Sequence, residues 1–292
     1  MIICGPSSIL LGTEITQILG QKRILFSTKT FPDGETYVRL DQPVKGEEVT
    51  VVNTLFPDQD KRIVETLLMV DSLVRNGAKK VNVVAPYLAY ARQDKVFREG
   101  EPVAPKVLGA ALRCAGVDTL VVVEAHSREA LEALNLPYVN VQIDRRMADA
   151  ILSLTGRPQL VVAPDVRAAE RAGKVADVLN AELMIFSKSR DRSNGEVTSE
   201  PVSEVNISEK TAVIVDDIIS TGRSVASAAE YLKKGGVKTI YAVCVHALML
   251  GESEIRIKQA GVTEIFGSNT IENRFARFSV ASEVASAIKQ LS

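Results

Sequence analysis

Two adjacent carboxylates, Asp216 and Asp217, follow the apolar run Ala212 to Val215, and Ser220, Thr221 and Gly222 come just after them in TAVIVDDIISTGRSVASAAEYL. Paired acids are acceptors for neighbouring sugar hydroxyls. Hydroxyls and free backbone N–H groups at the start of the following helix suit a phosphate, because the positive end of the helix dipole favours an anion. Like charges beside a core strand are costly unless partners are present. An N-cap cluster would account for the serines alone, but not for two acids and a glycine in the same run.

Four further clusters follow apolar strand-like runs. In FPDGETYVRL, Phe31 offers a stacking face and Asp33, Gly34 and Glu35 form a turn with acceptors, which suits an adenine ring and its amine. Taken alone, PDG is an ordinary turn. In PYLAYARQDKVFREGEPV, Arg92, Gln93, Asp94 and Lys95 follow an aromatic pair; in isolation such a run is more often a solvated loop. His126 closes VVVEAHS and Asp165 closes LVVAPD. Magnesium takes few protein ligands and several waters, so single donors from two strands suffice when phosphates complete the shell, although a lone histidine is more often structural. Finally, FSKSRDRSNGEV places Lys188, Arg190 and Arg192 after a strand. Cations there are either a solvated basic loop or the groups that stabilise charge on transferring phosphoryl oxygens.

The elements that position these clusters alternate short apolar strands with amphipathic helices, the pattern of parallel sheets covered on both faces. Strands are predicted at 1–4, 24–27, 49–53, 81–85, 119–123, 160–163, 183–187, 212–215, 239–245 and 264–267. In open parallel sheets, ligands bind beyond the carboxyl ends of the strands, where all five clusters fall. The chain also repeats itself. LGQKRILFS from Leu19 matches LNAELMIFS from Leu179, NGAKKVNVV from Asn76 matches GGVKTIYAV from Gly235, and AGVDTLVVV from Ala115 is echoed by AGVTEIFGS from Ala260. Two copies of one α/β unit are therefore expected, at 1–145 and 146–280, with a C-terminal helix at 281–292 packing back on the first copy.

Composition narrows the function classes. With 292 residues, 46% apolar residues and a net charge of -1, the chain reads as an ordinary globular protein with no footprint for nucleic acid. No apolar run approaches the roughly 18 residues that span a bilayer, and MIICGPSS lacks the regions of a signal peptide, so a cytoplasmic protein with no membrane partner is expected. Cys4, Cys114 and Cys244 are scattered among apolar residues and read as reduced core thiols.

DDIISTGRS resembles the ribose-phosphate loop of the phosphoribosyltransferase superfamily, and the five motifs in order resemble the ribose-phosphate pyrophosphokinase family, in its short archaeal-like form. The resemblance covers almost the whole chain. It implies two duplicated phosphoribosyltransferase-like domains, each a mainly parallel sheet flanked by helices, and transfer of the β,γ-diphosphoryl group of ATP to the anomeric hydroxyl of ribose 5-phosphate. By the same resemblance, Phe31, Asp33, Gly34, Glu35, Arg92, Gln93 and Asp94 bind ATP. Asp216, Asp217, Ser220, Thr221, Gly222, Arg223, Ser224 and Arg190 hold ribose 5-phosphate, His126 and Asp165 bind Mg2+, and Lys188 with Arg190 is the catalytic pair on a flexible loop. It further implies a homodimer or higher homo-oligomer in which a neighbour's Phe31 loop completes the ATP site. Arg167 and Ala168 stand where most relatives have glycines, Arg223 and Ser224 depart from the usual Gly-Thr, and EALEAL, Glu129 to Leu134, reads as helix where the common bacterial class has an allosteric turn. A phosphoribosyltransferase would use the same DDIISTG loop, and a non-catalytic nucleotide-binding regulatory paralogue would keep the ATP loops. The former has no use for FPDGE or YARQDK, and the latter none for Lys188 and Arg190.

Overall fold

The computed structural model describes residues 1–24, 26–190, 197–202 and 205–291, the side chains of 188–190 and 197–199 excepted. The chain forms two compact units. Unit 1 comprises Met1–Gln142, Asn269–Glu272 and Ser279–Ser292; unit 2 comprises Ile143–Ser268 and Asn273–Phe278.

Unit 1 contains β1 (Ile2–Cys4), β2 (Arg23–Ile24), β3 (Phe26–Thr30), β4 (Thr36–Leu40), β5 (Glu48–Val52), β6 (Lys80–Ala85), β7 (Thr119–Val123) and β8 (Tyr138–Val141), with α1 (Ile9–Leu19), α2 (Gln59–Arg75), α3 (Ala104–Ala115) and α4 (Arg128–Ala133). Its main sheet has the order β2-β1-β5-β6-β7-β8, and every pairing is parallel. A strand buried on both faces needs no polar alternation, and the valine runs of β5 to β7 accordingly sit wholly in the core. β3 and β4 leave this sheet as an antiparallel hairpin, and β4 packs on α2.

Unit 2 contains β9 (Leu160–Ala163), β10 (Glu182–Arg190), β11 (Val197–Pro201), β12 (Thr211–Ile219), β13 (Thr239–Ala247), β14 (Glu264–Ser268) and β15 (Ala276–Phe278), with α5 (Asp144–Thr155), α6 (Ala169–Leu179), α7 (Arg223–Lys234) and α8 (Ser253–Gln259). The sheet order is β11-β10-β9-β12-β13-β14-β15, parallel throughout except for the antiparallel β10–β11 edge. Removing that edge strand leaves β10-β9-β12-β13-β14-β15, the order of unit 1 element for element. The last helix, α9 (Ala281–Lys289), buries Val284, Ala285 and Ile288 and packs on α1, β7 and β8 inside unit 1.

The fold is the expected α/β one, with three local differences. The single strand predicted at 24–27 is instead the end of β2 and the start of β3, so Phe26 and Ser27 belong to the hairpin. The short strands β4, β8, β11 and β15 were not expected. Cys114, read as a core thiol, lies exposed near the end of α3, because it falls off that helix's buried stripe of Pro105, Leu108, Gly109 and Leu112. Among the described residues, no helix is long and apolar enough to cross a membrane.

Candidate functional site

In unit 2, the acids do not end the strand; they lie inside it. β12 continues to Ile219 because its ladder with β13 continues, pairing Asp216 with Cys244, Ile218 with His246 and Ile219 with Ala247. Ladder hydrogen bonds belong to the backbone, so carboxylates at a carboxyl end do not interrupt them. Asp216 and Asp217 are partly buried, the Asp217 amide donates to Asp216 Oδ1 at 2.9 Å, and the Ile218 amide donates to Asp217 Oδ1 at 2.8 Å. Burial, followed by the neighbouring Asp217 charge, pushes the Asp216 carboxyl well above the ordinary carboxylate value, and Asp165 adds to the same effect. Asp217 and Asp165 thus both act on Asp216 at the ends of the paired strands β9 and β12.

Ser220, Thr221 and Gly222 join β12 directly to α7. Gly222 is the N-cap and has a φ of 73°, in the left-handed region that favours glycine. A Cβ there would lie 2.7 Å from Ile257 Cδ1 and 3.3 Å from the Ser253 carbonyl oxygen. The outer side of the loop is held by Arg256, whose Nη1 donates to the Thr221 carbonyl at 2.6 Å, and by the Leu250 amide, which donates to the Ser220 carbonyl at 3.0 Å. Neither partner was singled out from sequence, since both arrive from the α8 region with no local signal. Thr221 and Arg223 are exposed, and Ser220 and Ser224 are partly so.

Asp165 follows β9 and caps a 3-10 turn, Val166–Ala168, with Oδ1 accepting from the Arg167 amide at 3.1 Å and the Ala168 amide at 3.3 Å. The two residues that depart from glycine therefore turn their amides to Asp165. Lys188 and Arg190 were expected beyond a strand ending at Ser187. Instead β10 runs through them, paired antiparallel with β11 at Lys188–Ser199 and Arg190–Val197. Their side chains and the whole of residues 191–196, Arg192 included, on which part of the expected flexible loop falls, lie outside the described residues.

In unit 1, the FPDGE segment forms the tip of the β3–β4 hairpin. The Phe31 amide donates to the Glu35 carbonyl at 2.8 Å and the Gly34 amide to the Phe31 carbonyl at 2.9 Å, while Asp33 Oδ1 accepts from the Glu35 amide at 3.1 Å. Phe31 is 38% exposed, edge-on to Tyr37 at 5.8 Å, with Lys29 Nζ 4.8 Å from its ring centre. The hairpin thus presents an aromatic face and two exposed carboxylates.

After β6, the loop carrying Arg92, Gln93 and Asp94 borders a largely apolar cavity of about 430 Å³ between α2 and α3; Gln93, Tyr90 and Asp60 supply polar groups to its wall. Arg92 is exposed, whereas Asp94 is partly buried and its Oδ2 accepts from Ser127 Oγ at 2.7 Å. His126 sits between β7 and α4, and α4 begins at Arg128, the helix read from EALEAL. His126 belongs to unit 1 and Asp165 to unit 2. Among the described residues, no three His, Cys, Asp or Glu side chains are grouped to hold a metal.

Comparisons with known proteins bear on the family and the fold. Residues 1–116 match the family model described as the N-terminal domain of ribose phosphate pyrophosphokinase, and residues 132–283 match the phosphoribosyl transferase domain. The chain is 36% identical over 275 residues to the ribose-phosphate pyrophosphokinase of Saccharolobus solfataricus, covering 93% of each chain. It is 39% identical over 267 residues to that of Thermococcus kodakarensis, covering 91% of this chain and 92% of the relative. The crystal structure of phosphoribosylpyrophosphate synthetase from Mycobacterium smegmatis superposes with a TM-score of 0.88 at 26% identity, over 100% of this chain and 98% of that one.

Proposed function

Because the chain belongs to the ribose-phosphate pyrophosphokinase family, we propose that it transfers the β,γ-diphosphoryl group of ATP to the anomeric hydroxyl of ribose 5-phosphate in the cytoplasm. The anomeric oxygen attacks the β-phosphorus and the bond from that phosphorus to the α-phosphate oxygen breaks. AMP leaves, and the hydroxyl proton passes to solvent.

The observation that carries this reading is the end of β12. Asp216 and Asp217 offer acceptors for the ribose hydroxyls, and the Ser220 to Ser224 turn, with Arg223, offers donors for the 5-phosphate at the start of a full-length helix. In unit 1 the exposed Phe31 face, with Asp33 and Glu35, serves adenine and ribose, and Arg92 and Gln93 reach the nucleotide. Lys188 and Arg190 supply cations to the transferring group, which carries its charge on non-bridging oxygens. Mg2+ suits the donor chemistry: the charges of Asp217 and Asp165 both raise the protonation of the Asp216 carboxyl, a repulsion that a hard cation relieves. His126 and Asp165 are each assigned a contact to it. Magnesium, when bound, neutralises the triphosphate oxygens.

The chain acts as a homodimer or larger homo-oligomer, with the Phe31 hairpin of one subunit completing a neighbour's ATP site. The enzymatic test is release of AMP from ATP with magnesium, measured with and without ribose 5-phosphate. Strict dependence on the sugar phosphate, with phosphoribosyl pyrophosphate as co-product, is expected. Turnover of phosphoribosyl pyrophosphate with a nucleobase instead would point to a phosphoribosyltransferase, and ATP binding with no turnover to a regulatory paralogue.

A further inference from the structure

The loop that carries Arg92 and Gln93 is anchored by side chains for which the proposed chemistry has no use. Tyr90 has a φ of 65°, a left-handed conformation that is costly for a bulky aromatic residue, and its phenol donates to Asp60 of α2. Farther along, the Ala104 amide at the start of α3 donates to the Gln93 carbonyl at 3.1 Å. Asp94 then turns away from the cavity wall: its Oδ2 accepts from Ser127 Oγ at 2.7 Å.

Ser127 is the residue after His126 and the N-cap of α4, and its oxygen also accepts from the Ala130 amide at 3.1 Å. A hydroxyl has one proton to give, and Ser127 gives it to Asp94. An ionised acceptor makes that bond roughly twice as strong as a neutral one. Both side chains are partly buried, so water competes poorly for either. The segment that reaches for nucleotide and the strand end that carries His126 are therefore joined by a side-chain hydrogen bond between residues 33 apart in sequence.

We propose that Asp94 and Ser127 are positioning residues: their hydrogen bond holds Arg92 and Gln93 against the His126 strand end and thereby sets the affinity for nucleotide. The inference rests on the proposed diphosphokinase reading, and it moves Asp94 from the residues that touch ATP to those that place them.

The test compares Ser127→Ala, Asp94→Ala, the double variant and Ser127→Thr with the wild-type enzyme. Binding of a non-hydrolysable ATP analogue with magnesium is read by calorimetry, and KM and kcat are measured alongside. Ser127→Ala and Asp94→Ala should each weaken nucleotide binding and raise the KM for ATP by roughly tenfold, the usual scale of one lost charge-assisted bond. The KM for ribose 5-phosphate should hold, the double variant should be no worse than either single one, and Ser127→Thr should restore affinity because it keeps the hydroxyl. Three outcomes would overturn the proposal. The first is an Asp94→Ala defect with wild-type behaviour in Ser127→Ala, since Asp94 would then touch ATP itself. The second is additivity in the double variant. The third is a loss of kcat and of both KM values in step with thermal stability, as a merely structural bond would give. If the wild-type enzyme binds the analogue but turns nothing over, the enzymatic reading fails while the binding comparison still decides; if it does not bind the analogue, both fall.

Discussion

Replacing Gly222 by alanine tests whether the Ser220 to Gly222 turn is set by packing as well as by backbone conformation. Two costs add. An L-residue at φ 73° costs roughly 1–2 kcal/mol relative to glycine. The new methyl group would also stand 2.7 and 2.8 Å from the Cδ1 and Cγ1 atoms of Ile257, which is fully buried, and 3.3 Å from the backbone oxygen of Ser253. Ile257 belongs to the same buried unit 2 core cluster as Val225, Ala226 and Ala229, so it cannot simply swing aside, and overpacking of this kind costs about 1–3 kcal/mol. Together these predict a loss of about 2–5 kcal/mol, or a fall in unfolding midpoint of roughly 5–15 °C by calorimetry. Relief by displacement of the Ser220 to Gly222 turn should also raise the KM for ribose 5-phosphate at least about tenfold while leaving ATP affinity near wild type. Gly251→Ala is the control: Gly251 has a φ of 55° but nothing within 4 Å of an added Cβ, so only the conformational cost applies. If Gly222→Ala unfolds no earlier than Gly251→Ala, the crowding argument is wrong. If it unfolds earlier but binds ribose 5-phosphate normally, the loop is not where the sugar phosphate sits.

Two further predictions probe the acids and the assembly. Asp216 titrates above its unfolded value, so its stabilising protonation is fully present below that value, 3.8, and is lost as pH rises through the folded value; Asp216→Asn should therefore gain in unfolding midpoint relative to wild type on going from about pH 4 to 8, and a constant difference would contradict the shift. Mixing inactive Phe31→Ala chains with inactive Lys188→Ala chains should restore at most about one intact site per mixed dimer, and demonstrated subunit exchange without recovered turnover would end the shared-site proposal.

What could be read from the sequence follows from how far apart the cooperating residues are. The valine runs of β5 to β7 and the strand at 160–163 are legible because burial on both faces leaves a continuous apolar signal. The β3–β4 hairpin is not, since FSTKT and TYVRL are largely exposed or half-buried and carry no clean alternation. The extension of β12 through its acids was missed because side-chain polarity is a poor guide where a backbone ladder persists. The Ser127–Asp94 bond and the Arg256 support of Thr221 have no local pattern at all, being made by residues 33 and 35 positions apart.

The two sheets have the same strand order once the β11 edge is set aside, yet the equivalent strand ends carry different polar residues. In unit 1, β5 occupies the place that β12 holds in unit 2, and α2 follows it as α7 follows β12. There the strand is followed by Asn53, fully buried, whose Oδ1 accepts from Ser7 Oγ at 2.7 Å and whose Nδ2 donates to Thr66 Oγ1 at 3.0 Å. The polar end is thus satisfied from within the unit. The N-cap of α2 is Asp58, left-handed at a φ of 59° like Gly222 at its own position, but carrying a carboxylate where a phosphate would have to approach. A negative charge at that helix end stabilises the helix and repels an anion by the same electrostatics. Both copies put a left-handed residue at the N-cap of the helix that follows, but unit 2 makes the connection with three residues, Ser220 to Gly222, and unit 1 with six, Asn53 to Asp58; DDIISTG therefore reads as a candidate site from sequence and its counterpart in unit 1 does not.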